Sequence, residues 1–162
     1  MAFGDIPNDP RPARLLIVED DVLLASALQE LLCDSGFEVV GTAGSATAAL
    51  SLAKDQHPTL ALIDICLVGP VDGIELACRL RDEYRTPTIF LSGLADPETR
   101  DRARMAEPVG FLRKPYRASQ VYNAIQKALN GRLSASLTPS SSSDCKTEAP
   151  RPCSIIAHTI SA

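Results

Sequence analysis

Along residues 14–130, short apolar runs alternate with stretches of helical period. Leu15-Leu16-Ile17-Val18 has no polar position, as a strand covered on both faces requires. Val22 to Leu32 then sets Leu24, Ala27, Leu28, Leu31 and Leu32 on one helical face, and Gly36 ends that helix. Glu38-Val39-Val40 is a second strand, followed by a helix over Ala46 to Ala53 with Ser45 as its N-cap. Thr59 to Ile65 is a third, nearly all-apolar strand. Gly73 opens a helix whose inner face carries Ile74, Ala77, Cys78 and Leu80, and Thr88-Ile89-Phe90-Leu91 is the fourth strand. Asp96-Pro97-Glu98 reads as a helix start, an acid at the cap and proline at the first helical position. Val109 to Leu112 is a fifth strand, and a last helix runs from Ala118 to Leu129 and stops at Asn130-Gly131.

Five strands alternating with five helices predict parallel pairing through right-handed crossovers, hence an α/β fold with a doubly wound, five-stranded parallel sheet. In such a sheet functional groups gather at the carboxyl ends of the strands. Here the first strand ends in Glu19-Asp20-Asp21, the third in Asp64, the fourth in Ser92-Gly93, and the fifth is followed by Lys114-Pro115. Clustered carboxylates repel one another unless a cation neutralises them, and a hard divalent metal with oxygen ligands does so. With a lysine and a hydroxyl added, the set describes a site for a phosphoryl group. Asp21 reads as a helix-start residue and not as a ligand.

Ile17-Val18-Glu19-Asp20, Leu62-Ile63-Asp64, Phe90-Leu91-Ser92-Gly93 and Phe111-Leu112-Arg113-Lys114-Pro115 fall in order on these strand ends. Together they resemble the signature of response-regulator receiver domains of two-component signalling, over about residues 14–130. The resemblance implies a flavodoxin-like strand order 2-1-3-4-5 with helices on both faces. It implies Asp64 as phosphoacceptor and Mg²⁺ held by Asp20, Asp64 and the Cys66 carbonyl, with Glu19 acting through a water. Lys114 would hold a phosphoryl oxygen and Ser92 would hydrogen-bond the group once transferred. Phe111 occupies the switch-aromatic position and is expected to pack in the core. The implied partners are a sensor histidine kinase or a histidine phosphotransfer protein, and a downstream protein target. Beyond autophosphorylation and its reversal no enzymatic activity is implied.

The chain departs from the family pattern after Asp64. Receivers usually reach Asp-Gly seven residues beyond the phosphoacceptor; here Asp72 lies eight beyond, Val68 holds the usual proline position, and the proline is Pro70. A one-residue extension of a loop costs little. Two positions flanking the site, Cys66 and Leu94, have no strong hydrogen-bonding group with which to orient an attacking water, so slow self-dephosphorylation is expected. Two other readings compete. A haloacid-dehalogenase-type phosphatase also uses an aspartyl nucleophile, Mg²⁺ and a lysine, but needs an aspartate where Cys66 stands. A receiver-like docking module without phosphorylation predicts damage to the acidic pair, Asp64 or Lys114, and all four residues are present.

Composition narrows the setting. A net charge of −4 without a basic cluster argues against a nucleic-acid partner. No run approaches the roughly 20 apolar residues of a membrane span. Five cysteines, an odd count with no Cys-x-x-Cys pair, fit a reduced, cytoplasmic protein. Residues 1–13 read as a flexible arm and 14–131 as the receiver. From Arg132 the chain turns to serine, threonine and proline without periodicity, so 132–162 reads as a disordered tail. With no output domain after Gly131, the expectation is a stand-alone receiver that signals by protein–protein contact.

Overall fold

A computed structural model describes residues 12–93 and 96–135, and side chains as far as 131. Residues 1–11 of the expected arm, residues 136–162 of the expected tail, Leu94 and Ala95 lie outside the described residues. Ten elements alternate along the chain: β1 (Arg14–Val18), α1 (Val22–Asp34), β2 (Glu38–Ala43), α2 (Ala46–Gln56), β3 (Leu60–Asp64), α3 (Gly73–Tyr84), β4 (Thr88–Ser92), α4 (Pro97–Met105), β5 (Gly110–Arg113) and α5 (Ala118–Ala135). The strands form one sheet in the order β2-β1-β3-β4-β5, every neighbouring pair parallel.

Alternation along the strands divides the core in two. Leu16, Val18, Ala61, Ile63 and Phe90 point toward α2, α3 and α4. Leu15, Ile17, Leu60, Leu62, Ile89 and Leu91 point toward α1 and α5. Both faces of the central strands are therefore covered, which is why these strands read as unbroken apolar runs. The order reverses between β1 and β3, so their carboxyl ends flank a crevice where no crossover passes.

Several elements differ in detail from the sequence expectation. In α1 the buried residues are Ala25, Leu28 and Leu32, whereas Leu24 and Ala27 are exposed. Residues 22–25, 27, 28, 31 and 32 are all apolar, so periodicity could not choose between two stripes one residue apart. β2 runs on through Gly41 and Thr42 to Ala43, its pairing with β1 continuing past an irregularity between Leu15 and Leu16. The final helix does not stop at Asn130-Gly131 but continues to Ala135. A glycine inside a helix costs only about 1 kcal/mol relative to alanine.

The helix starts were legible. Asp21, Ser45, Asp72 and Asp96 each cap a helix, accepting backbone N–H groups two or three residues on. Asp72 does more than cap: one oxygen takes the Glu75 N–H at 2.8 Å and the other takes Arg102 of α4 at 2.7 Å. Burial pushes its pKa up, but these hydrogen bonds and the guanidinium charge outweigh it and hold the carboxyl below the ordinary aspartate range. A lowered folded-state pKa contributes stability that is present above the unfolded pKa and lost as pH falls through the folded one. Asp72→Ala should therefore cost about 1 kcal/mol at neutral pH, with the gap to wild type narrowing in acid. Thermal melts of both proteins across pH check this; a gap that stays constant into acid would contradict it.

Candidate functional site

Each site residue is placed by the strand it ends. Glu19 follows β1, and its amide donates to the Ala43 carbonyl at 2.9 Å, which fixes the chain as it leaves the sheet. Asp64 is the last residue of β3, and the Ile65 amide just after it donates to the Leu91 carbonyl. Lys114 follows β5, and its amide donates to the Ser92 carbonyl at 2.6 Å, so β4 aligns the lysine; the Lys114–Pro115 peptide is cis.

The side chains converge. Lys114 Nζ lies 2.6 Å from Glu19 Oε2 and 2.9 Å from Asp64 Oδ2. Asp64 Oδ1 accepts the Cys66 amide at 2.9 Å, and Glu19 Oε1 accepts the Asp21 amide at 3.4 Å. Glu19 and Asp64 are buried, while Asp20 is exposed beside them, and carboxylate oxygens from all three lie within 4.8 Å of one another. Two of the three carboxylates thus share one ammonium, and the third, Asp20, stands beside them.

Titration follows from that imbalance. Burial raises the pKa of Glu19, with the Asp64 charge adding to it, and the bond to Lys114 only partly offsets this. Burial acts downward on Lys114, but hydrogen bonds and charge from Asp64 and Glu19 outweigh it and keep the ammonium above the usual lysine range. The two shifts agree physically: burial outweighs the single bond that Glu19 makes to the ammonium, whereas Lys114 gains from two anions.

The side chains of Ser92, Phe111 and Cys66 stand apart from these hydrogen bonds. The hydroxyl of Ser92 is 3.4 Å from the Gly93 carbonyl, its own neighbour, and does not bond Asp64. Phe111 is not packed in the core; it is 46% exposed, its ring 5.7 Å from that of Phe90. β5 is an edge strand that turns Leu112 inward, so Phe111 faces the α4 side, beside a cavity of about 250 Å³ lined by Ile65, Ser92, Arg100 and Phe111. Cys66 is an exposed free thiol, so the position where the phosphatase reading needs a general acid carries none.

One residue escaped the sequence as a site element. A Cβ built on Gly73 would overlap the carbonyl oxygen of Asp64 and approach Asp64 C and Ile65 Cα at 3.1 Å. The start of α3 therefore rests directly on the backbone of Asp64. The Asp-Gly pair was visible only as a spacing, and the longer loop before it, with Gly69 at φ +148° and Val68 exposed, still delivers Gly73 to this contact.

The family model described as "Response regulator receiver domain" matches residues 15–126. The chain belongs to the response-regulator receiver family. The receiver is 33% identical over 119 residues to the transcriptional regulatory protein PdtaR of Mycobacterium tuberculosis, covering 74% of this chain and 58% of that protein. It is 32% identical over 122 residues to the phyllosphere-induced regulator PhyR of Methylorubrum extorquens, 75% of this chain and 45% of that one. The chain thus spans about half the length of these two relatives. With the chemotaxis protein CheY of Bacillus subtilis it shares 30% identity over 118 residues, 72% of this chain and 98% of CheY. Among solved structures, the signal receiver domain of a modulated diguanylate cyclase from Desulfovibrio desulfuricans G20 superposes with a TM-score of 0.74 at 35% identity, covering 77% of this chain and 99% of that one. The receiver is a signalling module, and among its described residues no helix is long and apolar enough to cross a membrane.

Proposed function

We propose that this receiver accepts a phosphoryl group on Asp64 from a phosphohistidine of a sensor histidine kinase or histidine phosphotransfer protein, and signals by binding a downstream protein. The observation that carries this reading is the placement of Lys114 Nζ between two buried carboxylates, one of them at the end of β3, at the point where the strand order reverses. An ammonium already in contact with Asp64 is placed to meet an incoming phosphoryl oxygen.

The donor set fits Mg²⁺: hard oxygen ligands only, and more negative charge than one lysine balances. Glu19, Asp20, Asp64 and the Cys66 carbonyl would hold the ion, which when bound supplies charge neutralisation for the carboxylates and for the phosphoryl oxygens. The remaining steps belong to the chain. The Asp64 carboxylate forms an O–P bond as the N–P bond of the phosphohistidine breaks, its electron pair passing to the imidazole. Lys114 shifts its hydrogen bond from Asp64 to a phosphoryl oxygen, and Ser92 turns from the Gly93 carbonyl to donate to another. The space beside Phe111 admits an inward turn of that ring once Ser92 has moved.

For output, the α4–β5–α5 side exposes Met105, Val109 and Phe111, apolar residues that a protein partner can bury. The reading is tested by incubating the protein with a small phosphodonor, with Mg²⁺ and with chelator, and measuring intact mass. Phosphorylation that depends on Mg²⁺ is expected; equal uptake under chelation would contradict the assignment.

The lifetime of the acyl phosphate should be long, because the thiol of Cys66 orients water poorly. Cys66→Asn combined with Leu94→Glu should shorten it by supplying two polar groups. The measurement is the decay of phosphorylated protein after donor removal; decay no faster in the double variant would refute the expectation.

A further inference from the structure

The helix α4 has little apolar footing: Ala103 within it and Ala106 just after it are its buried positions. Two methyl groups anchor a helix weakly, so its polar ties to α3 carry weight. At the far end, Arg81 of α3 donates to the Ala106 carbonyl at 3.0 Å and reaches Glu107 at 3.3 Å. Nearer the phosphoacceptor, Arg102 of α4 pairs with Asp72, the cap of α3.

The two partners of this second tie differ in freedom. Asp72 is held by the Glu75 amide, and the next residue, Gly73, is pressed against the Asp64 backbone. Arg102 sits on the helix that follows β4, five residues past its first residue, Pro97. Ser92 ends β4 and α4 begins at Pro97, so a movement of Ser92 toward a group on Asp64 can be passed on to α4. Arg102 resists it by holding α4 to the capped start of α3.

We propose that the Asp72–Arg102 ion pair is a latch that holds α4 in its resting place and thereby sets how readily Asp64 is phosphorylated. The inference rests on the reading of Asp64 as phosphoacceptor. The pair stabilises the resting arrangement, so removing it shifts the two-state population toward the arrangement that the phosphoryl group favours. Its side chains, Arg102 and Asp72, are 56% and 36% exposed, which makes it screened and modest in strength. A modest latch suits a switch, since it biases the equilibrium without locking it.

The test uses the full chain, a small phosphodonor and Mg²⁺. Arg102→Ala removes the tie and leaves the Asp72 cap intact; Asp72→Asn removes the charge and keeps a capping side chain. Each should be phosphorylated about two- to fivefold faster than wild type, the range an exposed ion pair can supply. Arg102→Lys, which keeps the charge, should fall back toward the wild-type rate. The double variant should be no faster than either single one, because both remove the same contact. Wild-type rates in Arg102→Ala, or additive effects in the double variant, overturn the latch. If wild type takes up no phosphoryl group, the phosphoacceptor reading fails, and hydrogen exchange in α4 then decides the latch. Faster exchange in Arg102→Ala supports it and unchanged exchange overturns it.

Discussion

Lys114→Met will slow phosphorylation of Asp64 by a small phosphodonor about a hundredfold, the typical loss when one preorganised charge-stabilising donor is removed from a site. The lysine is the one cation in contact with both Glu19 and Asp64 among the described residues. Without it, three carboxylates face one another uncompensated and the phosphoryl oxygens lose their fixed partner. The same substitution should tighten Mg²⁺ binding, because a positive charge that competes for the same oxygens has gone. The two effects run in opposite directions, so neither can be ascribed to general damage. Calorimetric Mg²⁺ titration and initial rates on the same preparation separate them; a rate within twofold of wild type would rule out the role assigned to Lys114.

Gly73→Ala will act through sterics where Lys114→Met acts through charge. The added methyl has no space: it meets the Asp64 carbonyl, and the atoms behind it are backbone, which cannot rotate away. Either α3 lifts from β3 or the Asp64 peptide moves, and both disturb Asp64. Overpacking of this kind costs about 3 kcal/mol, which for a domain of this size lowers Tm by about 10 °C. Differential scanning calorimetry gives the answer directly. A melt within about 2 °C of wild type would mean that the contact relaxes freely.

The architecture was legible because β1, β3 and β4 are covered on both faces and so announce themselves as unbroken apolar runs. The polar residues that end them then mark one rim of the sheet. Asp64, Glu19, Asp20 and Lys114 could be read as a group for that reason, although Lys114 lies 50 residues from Asp64 and 95 from Glu19. What escaped the sequence depends on packing between elements. A mostly apolar α1 could not show which stripe docks, and the Asn130-Gly131 pair looked like a stop that α5 passes through. Phe111 looked like core because aromatic residues in strands usually are, yet β5 is an edge strand and α4 leaves the ring half open. The Gly73 contact and the Asp72–Arg102 pair have no local signature at all.

The role of Asp64 as phosphoacceptor, on which the rest depends, is tested most directly by incubating wild type and Asp64→Asn with Mg²⁺ and a small phosphodonor and weighing the intact proteins. The substitution keeps the size of the side chain while removing the charged nucleophile. One added phosphoryl group, base-labile as an acyl phosphate is, is predicted on wild type and none on Asp64→Asn. Equal phosphorylation of the two proteins would contradict it.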